Sequence, residues 1–277
     1  MSTAKSSPDT NSDSMTKDES QVAEHVSAED KSSFYSFIKT VASFSGDLSQ
    51  LTCPGFLLCG SSILEYCSHY GDYPVLFNDI ARANDSLERT AAVTRWFLST
   101  LYGSFRSRCK DTFEKKPYNP ILGEKFMCQL KDADENILNL RCEQVSHHPP
   151  VSALYLESPS AGVYLIGHCG QKSKFKGTSI KVEQVGHVTV SVLGCDEYFV
   201  ITLPGTNIRS LVTGRPFLDL YGESYVYSSA GYVATIVYQQ KPWFGGDYFG
   251  IEGNIKDSSG KILKNISGKM DRRVYYH

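Results

Sequence analysis

Of the 277 residues, eight are cysteines, yet no two form a Cys-x-x-Cys pair. That spacing leaves zinc and dithiol redox chemistry without a framework, and the cysteines read as free buried thiols. There is no Gly-x-Ser-x-Gly elbow, no phosphate-binding glycine loop and no His-Glu-x-x-His, so the usual local signatures of hydrolases and nucleotide enzymes are missing. A formal net charge of −2 excludes the basic excess of a dedicated nucleic-acid binder. No apolar run approaches the ~20 residues that span a bilayer, and no signal-peptide core opens the chain. No 20–50-residue repeat points to a solenoid or propeller. Asn84-Asp85-Ser86 and Asn265-Ile266-Ser267 match the glycosylation pattern, but a cytosolic chain never meets that machinery.

The residues that are present divide the chain. Residues 1–31 are rich in Ser, Thr, Asp, Glu and Lys, with little apolar surface to offset ordering entropy, so a disordered polar tail is expected. From Phe34, the residues Phe37, Ile38 and Val41 recur at helical spacing, and Gly46 supplies a stop. A short helix is expected from Ser61 or Ser62 through Tyr66. A longer one follows Asp85, where an Asp cap with Glu88 three residues on forms a capping-box arrangement. Leu87, Ala91, Thr94, Phe97, Leu98, Leu101 and Phe105 mark its face.

After Pro120 the period changes to two, as in Val188, Val190 and Val192 against Thr189 and Ser191. Similar runs fall near 151–157, 162–168, 197–203, 207–213, 223–229, 231–239, 247–256 and 261–268. Their short connections make successive strands antiparallel. A dozen such strands can build two packed sheets or a wide barrel enclosing a ligand, and periodicity alone does not choose.

Two segments carry distinctive chemistry, Lys115 to Glu124 (KKPYNPILGE) and Glu143 to Pro150 (EQVSHHPP). The prolines stiffen both and push the residues before them into extended shapes. Lys116, Asn119, His147 and His148 are thereby fixed donors suited to an anion. By spacing alone they also fit a solvated connection and a pair of surface or core histidines. The His pair has no third metal ligand nearby and no motif-placed nucleophile to activate.

Together the two segments resemble the oxysterol-binding-protein-related family, whose fingerprint EQVSHHPP matches letter for letter; NPILGE resembles its second motif. Phe44-Ser-Gly-Asp-Leu48, Trp96-Phe-Leu-Ser-Thr100 and Tyr225-Val-Tyr-Ser-Ser229 extend the likeness over roughly 34–270, especially to short fungal members. The resemblance implies a mainly β fold with N-terminal helices: a large antiparallel barrel around an apolar lipid tunnel. Its parts would be a lid (34–46), a helical portion (61–109) and the barrel (118–277), within one domain over 32–277. It implies a non-enzymatic, cofactor-free, metal-free, monomeric protein. Such a protein would exchange a sterol or other apolar lipid and phosphatidylinositol 4-phosphate between cytosolic membrane faces, making peripheral membrane contact and binding no nucleic acid. Lys116, His147 and His148 would meet the phosphates, with Asn119 at the mouth. Phe34, Phe37, Ile38, Val41, Tyr70 and Phe105 would form the lid and tunnel. The lid's Ser/Thr-rich polar face also suits a sensor of loosely packed lipid, although a core-covering helix needs the same stripe.

Departures from the pattern bear on the ligand. Ser104 and Phe105 stand where the family often has Gln-Tyr for the sterol hydroxyl, and Cys169 stands at a neighbouring Asn position, while Gln184 is retained. Family members also continue past the position of His277 with last strands and a subdomain that adds a Lys, a Glu and an Arg. The chain is therefore expected to lack that subdomain, to leave its barrel incomplete and to bind phosphoinositide more weakly than a full-length member. The alternative reading is a truncated remnant acting as a regulatory or interaction protein.

Overall fold

The computed structural model describes residues 28–44, 46, 48, 51, 53–106, 115–211, 216–240 and 248–277. The polar tail expected over 1–31 lies, as far as residue 27, outside the described residues. Helix α1 (Ala28–Ser43) begins ahead of the predicted Phe34, and buries Phe34 and Val41.

Three helices follow. At α2 (Ile63–Tyr66) the expected start is realised as a capping box: Leu64 N donates to Ser62 Oγ at 3.2 Å, and Ser62 N donates to Glu65 Oε2 at 2.5 Å. A 3-10 turn (Cys67–Gly71) leads into α3 (Pro74–Arg82), which the sequence reading missed. Its first residue is a proline and no side chain caps it, so the usual Ser/Thr/Asp start signal is absent. Asn78 on α3 is buried and pinned to the sheet, accepting from Ser158 Oγ at 2.6 Å and donating to Asp132 Oδ2 at 3.0 Å. Helix α4 (Ser86–Arg106) starts where the capping pattern placed it, with Glu88 N donating to Asp85 Oδ1 at 2.8 Å. Trp96 lies off the predicted stripe yet is fully buried; it packs on Phe77 and donates from Nε1 to the Tyr70 carbonyl at 3.1 Å. The helix is thus covered on more than one side, because α3 and the 3-10 turn lie against it as well as the sheet.

Strand β1 (Leu58–Ser62) pairs in parallel with β2 (Lys116–Tyr118), the helices forming the long connection that parallel pairing needs. All other strands join one antiparallel sheet: β3 (Lys125–Lys131), β4 (Ile137–His147), β5 (Pro150–Ser158), β6 (Val163–Phe175), β7 (Ile180–Val192), β8 (Glu197–Thr202), β9 (Gly205–Arg209), β10 (Phe217–Ser228), β11 (Val233–Gln239), β12 (Gly250–Lys256), β13 (Ile262–Lys269) and β14 (Val274–Tyr276). The order is β14-β13-β12-β11-β10-β8-β7-β6-β5-β4-β3, with β9 bridging β7 and β10. β3 and β14 do not pair, so the expected incomplete barrel is an open one. The eight predicted runs each meet a strand, with shifted ends; β9 stops at Arg209 and 212–215 lie outside the described residues.

The inward face of this sheet changes character along its strands. On β7, Val188, Val190 and Val192 belong to the main core, whereas Ile180, Val182 and Gln184 on the same face line a cavity. β6 repeats this, from Val163 and Leu165 in the core to Cys169, Gln171 and Ser173 on the cavity wall. The changeover on β7 falls at Gly186, whose φ of +127° and backbone contact with the His168 carbonyl leave no room for a Cβ. On β10, the buried Asp219 is gripped through Oδ2 by Arg209 Nε at 2.6 Å, while Oδ1 has no partner. Burial raises its carboxyl above the usual range, against the pull of Arg209.

Removing the α4 cap by Asp85→Ala should lower stability by about 1 kcal/mol, read as a lower urea midpoint with an unchanged slope. Asp219 gives a pH signature. Its folded-state pKa is raised, so above about pH 4 the folded chain holds more protons at this site than the unfolded one. Stability relative to Asp219→Asn should therefore fall as pH rises from there through the folded-state pKa. A flat difference between the two urea midpoints across that window would contradict it.

Candidate functional site

A cavity of about 370 Å³ opens between α1 and the far halves of β6, β7 and β10, within the range of small-molecule sites. Phe34, Phe37, Ile38 and Val41 on α1 all face it; their i, i+3, i+4, i+7 spacing gives the helix one apolar stripe. Opposite them stand Ile180, Val182, Ile208, Leu218 and Leu220. Tyr70 lines the cavity from the 3-10 turn, its phenol pushed well up by burial and by the neighbouring thiols of Cys169, Cys67 and Cys142.

The polar groups inside are neutral or paired. Gln144 is buried, donating to the Ser146 carbonyl at 2.9 Å and accepting from Ser152 Oγ at 2.6 Å. Burial, with Cys67 nearby, pushes the Cys169 thiol up to about 12. The Cys67 thiol is raised through its hydrogen bond with Cys142, and by burial. These sulfurs stay protonated at neutral pH and act as small apolar groups. Gln184, the candidate hydroxyl contact, lies in the wall as expected. The side chains of Ser104 and Phe105 lie outside the described residues.

Charge collects at one rim. Lys115, Lys116 and Asn119 line the cavity where β2 runs beside β1, Leu58 pairing with Lys116 and Ser62 with Tyr118. Lys116 is close enough to Cys53 to pull its thiol pKa down, against the upward effect of burial. His147 ends β4, and His148-Pro149 form the turn into β5, their peptide bond being cis. The turn brings the two imidazoles to one place, ring centres 4.5 Å apart and edge to face, where a straight strand would have separated them. Nδ1 of His147 lies 3.3 Å from the Pro120 carbonyl, one residue beyond Asn119. Neither imidazole lines the cavity itself; the pair flanks it between Pro120 and Pro150, the latter a wall residue.

Sequence reasoning named the lid stripe, Lys116, Asn119 and Gln184, but did not select Gln144, Ser152, Leu218 or Leu220 as site residues. Gln144 sits inside the EQVSHHPP run, so its signal was available. Leu218 looks like a core residue until the helical layer is seen to stop short of it, and Leu220 belongs to the core and the cavity wall at once. Among the described residues no group of three or more His, Cys, Asp or Glu is placed to hold a metal ion. No helix of the described residues is long and apolar enough to cross a membrane. An apolar hollow with ammonium and imidazole groups at one rim is suited to an amphiphile with an anionic head.

The sequence pattern of the family described as Oxysterol-binding protein matches residues 33–277. Protein KES1 of Mycosarcoma maydis is 40% identical over 257 residues, covering 91% of this chain and 67% of its own. Protein kes1 of Schizosaccharomyces pombe is 42% identical over 217 residues, covering 78% and 56%. The chain thus spans between about half and two thirds of such relatives. Among solved structures, the Osh3 ORD of Saccharomyces cerevisiae in complex with PI(4)P superposes with a TM-score of 0.72 at 26% identity, covering 86% of this chain and 60% of that one. The Osh1 ORD domain in complex with ergosterol gives 0.73 at 24% identity, covering 85% and 54%, a likeness of fold. With the family's pattern matched over nearly all of the described residues and the fold shared, the chain belongs to the oxysterol-binding protein family.

Proposed function

We propose that this chain is a non-enzymatic lipid binder that takes a sterol or another apolar lipid, and phosphatidylinositol 4-phosphate, into the cavity under α1 and exchanges them between cytosolic membrane faces. The observation that carries the reading is the cavity itself: apolar walls with a cationic, hydrogen-bonding rim at one side. The complexes of the related structures, one with PI(4)P and one with ergosterol, support the two ligand classes.

In this reading Lys116, His147 and His148 hold the phosphorylated inositol, and Asn119 donates at the mouth. Charge-assisted hydrogen bonds to phosphate are the strong ones, and they act here beside low-dielectric walls. The tails fill the hollow below, covering the wall residues that no helix covers. Helix α1 closes over them, with Phe34, Phe37, Ile38 and Val41 as the inner face of the lid. A sterol hydroxyl would find Gln184 among its candidate partners, with Ser104 in the adjoining helix. Docking is peripheral, through groups at the cavity mouth.

Replacing both imidazoles, His147→Ala with His148→Ala, should lower extraction of phosphatidylinositol 4-phosphate from liposomes by at least about tenfold, the loss of two charge-assisted bonds, while fluorescent sterol still loads. Equal extraction by parent and variant would defeat the head-group assignment. Filling the hollow by Val182→Trp should instead reduce sterol loading about tenfold or more, because overpacking a closed site is strongly unfavourable. Unchanged sterol binding in that variant would place the lipid elsewhere.

A further inference from the structure

The loop between β2 and β3 carries a feature that neither packing nor the head-group role uses. Glu124 N donates to the Ile121 carbonyl at 3.0 Å, and Gly123 at the third position has φ +80°, which defines a type II turn. Glu124 Oε2 accepts from Ile121 N at 3.1 Å, and the turn is clamped to β4 by Gly123 N on the Gln144 carbonyl and Gln144 N on the Glu124 carbonyl. Yet this well-fixed turn holds two aliphatic side chains in water, Ile121 at 69% and Leu122 at 64% exposure. Tyr118 before it and Val145 after Gln144 are exposed as well. A backbone this fully bonded does not need those side chains for its shape, since Leu122 and Ile121 join no part of the core.

Resting on the lipid-binding reading, we infer that the turn Ile121–Glu124 is a membrane wedge: it sets Ile121 and Leu122 into the facing leaflet and so seats the cavity mouth on the bilayer. Position and shape favour a bilayer over a protein partner. Asn119, two residues before the turn, lines the cavity, and the carbonyl of Pro120 meets His147, so the wedge stands at the entrance a lipid must cross. The apolar pair is a projecting tip, which a fluid leaflet can accept without a matching groove. Lys115 and Lys116 line the same cavity from the start of β2, the strand that leads into this loop, where anionic head groups would meet them, and Tyr118 at the end of that strand has the amphipathic ring suited to the interface. The Glu124 carboxylate is turned back onto the Ile121 amide. The wedge is separate from α1, whose stripe faces the cavity.

The test uses the whole chain and vesicles of phosphatidylcholine with phosphatidylserine, free of phosphoinositide. The pair Ile121→Ser with Leu122→Ser should partition onto these vesicles about tenfold more weakly than the parent, as expected for losing two inserted aliphatic chains. Its urea midpoint and its binding of a short-chain, water-soluble phosphatidylinositol 4-phosphate should match the parent's. Equal partitioning of variant and parent would overturn the wedge. Independently, Leu122→Trp should show emission quenching beyond the parent's when acyl-brominated lipids are added, and the absence of extra quenching would overturn it too. Failure of the parent to bind the short-chain ligand, with partitioning still dependent on Ile121 and Leu122, would strike the phosphoinositide reading and leave the wedge standing.

Discussion

A sheet with one apolar face must have that face covered, and here the helical layer is too short for the strands it covers. Near one end, α3 and α4 bury Leu165, Val188, Val190, Phe199 and Ile236 in a closed core. The same rows then run on through Cys169, Gln171 and Val182, where α1 and residues such as Tyr70 and Leu101 also line the wall and a hollow is left between. The hollow is thus a consequence of strand length: β6 and β7 have 13 residues each, roughly 43 Å at ~3.3 Å per residue, while a helix lying across them covers a width of only ~10 Å. A lipid, the proposed ligand, would supply apolar surface for that remainder without demanding a fixed side-chain complement. This is why the wall tolerates a glutamine, a serine and a cysteine beside its aliphatic residues.

The rim depends on stiffness in the chain. Pro117 and Pro120 hold the Lys116–Asn119 segment extended beside β1, and Pro149 and Pro150 turn the chain so that His147 and His148 come to one side. The two segments are joined by His147 against the Pro120 carbonyl and by the turn's hydrogen bonds to Gln144. Gln144 is therefore shared. Its backbone anchors the β2–β3 turn, while its side chain, satisfied by Ser152 and Ser146, faces the cavity as a closed pair. A buried amide left open there would cost about 1–3 kcal/mol.

Much of this was legible in the residues. The Asp85–Glu88 cap, the alternation of Val188 to Val192 and the stripe of α1 each express a local rule, and each appears where the rule put it. The open antiparallel barrel was legible only through the resemblance, since periodicity does not distinguish a barrel from a sandwich. Helix α3 was missed because its N-cap position holds Tyr73, which supplies no side-chain cap, in place of a Ser, Thr, Asp or Asn. β4 escaped as a strand because its motif drew attention to chemistry, although Leu138, Leu140 and Cys142 alternate inward. That Leu218 faces a hollow, Leu220 borders both hollow and core, and Val226 faces the core depends on which helix ends where, and no pattern within β10 carries that information.

The distribution of charge decides how a ligand would lie. Inside, the thiols of Cys67 and Cys169 are held protonated by burial and by their neighbours, and Gln144 with Ser152 is neutral and paired. Formal charge gathers at Lys115 and Lys116, at the start of the strand that leads to the exposed Ile121 and Leu122. An ionised phosphate drawn inward would lose its water and find no lysine or arginine among the described wall residues beyond Lys115 and Lys116, whereas at the rim it meets ammonium and imidazole. An amphiphile can therefore lie in one sense only, tails inward and head at the mouth. In the proposed function the head group is then the part of the ligand that passes the mouth first on leaving, so selection of the ligand and its orientation follow from one separation of charge from apolar surface.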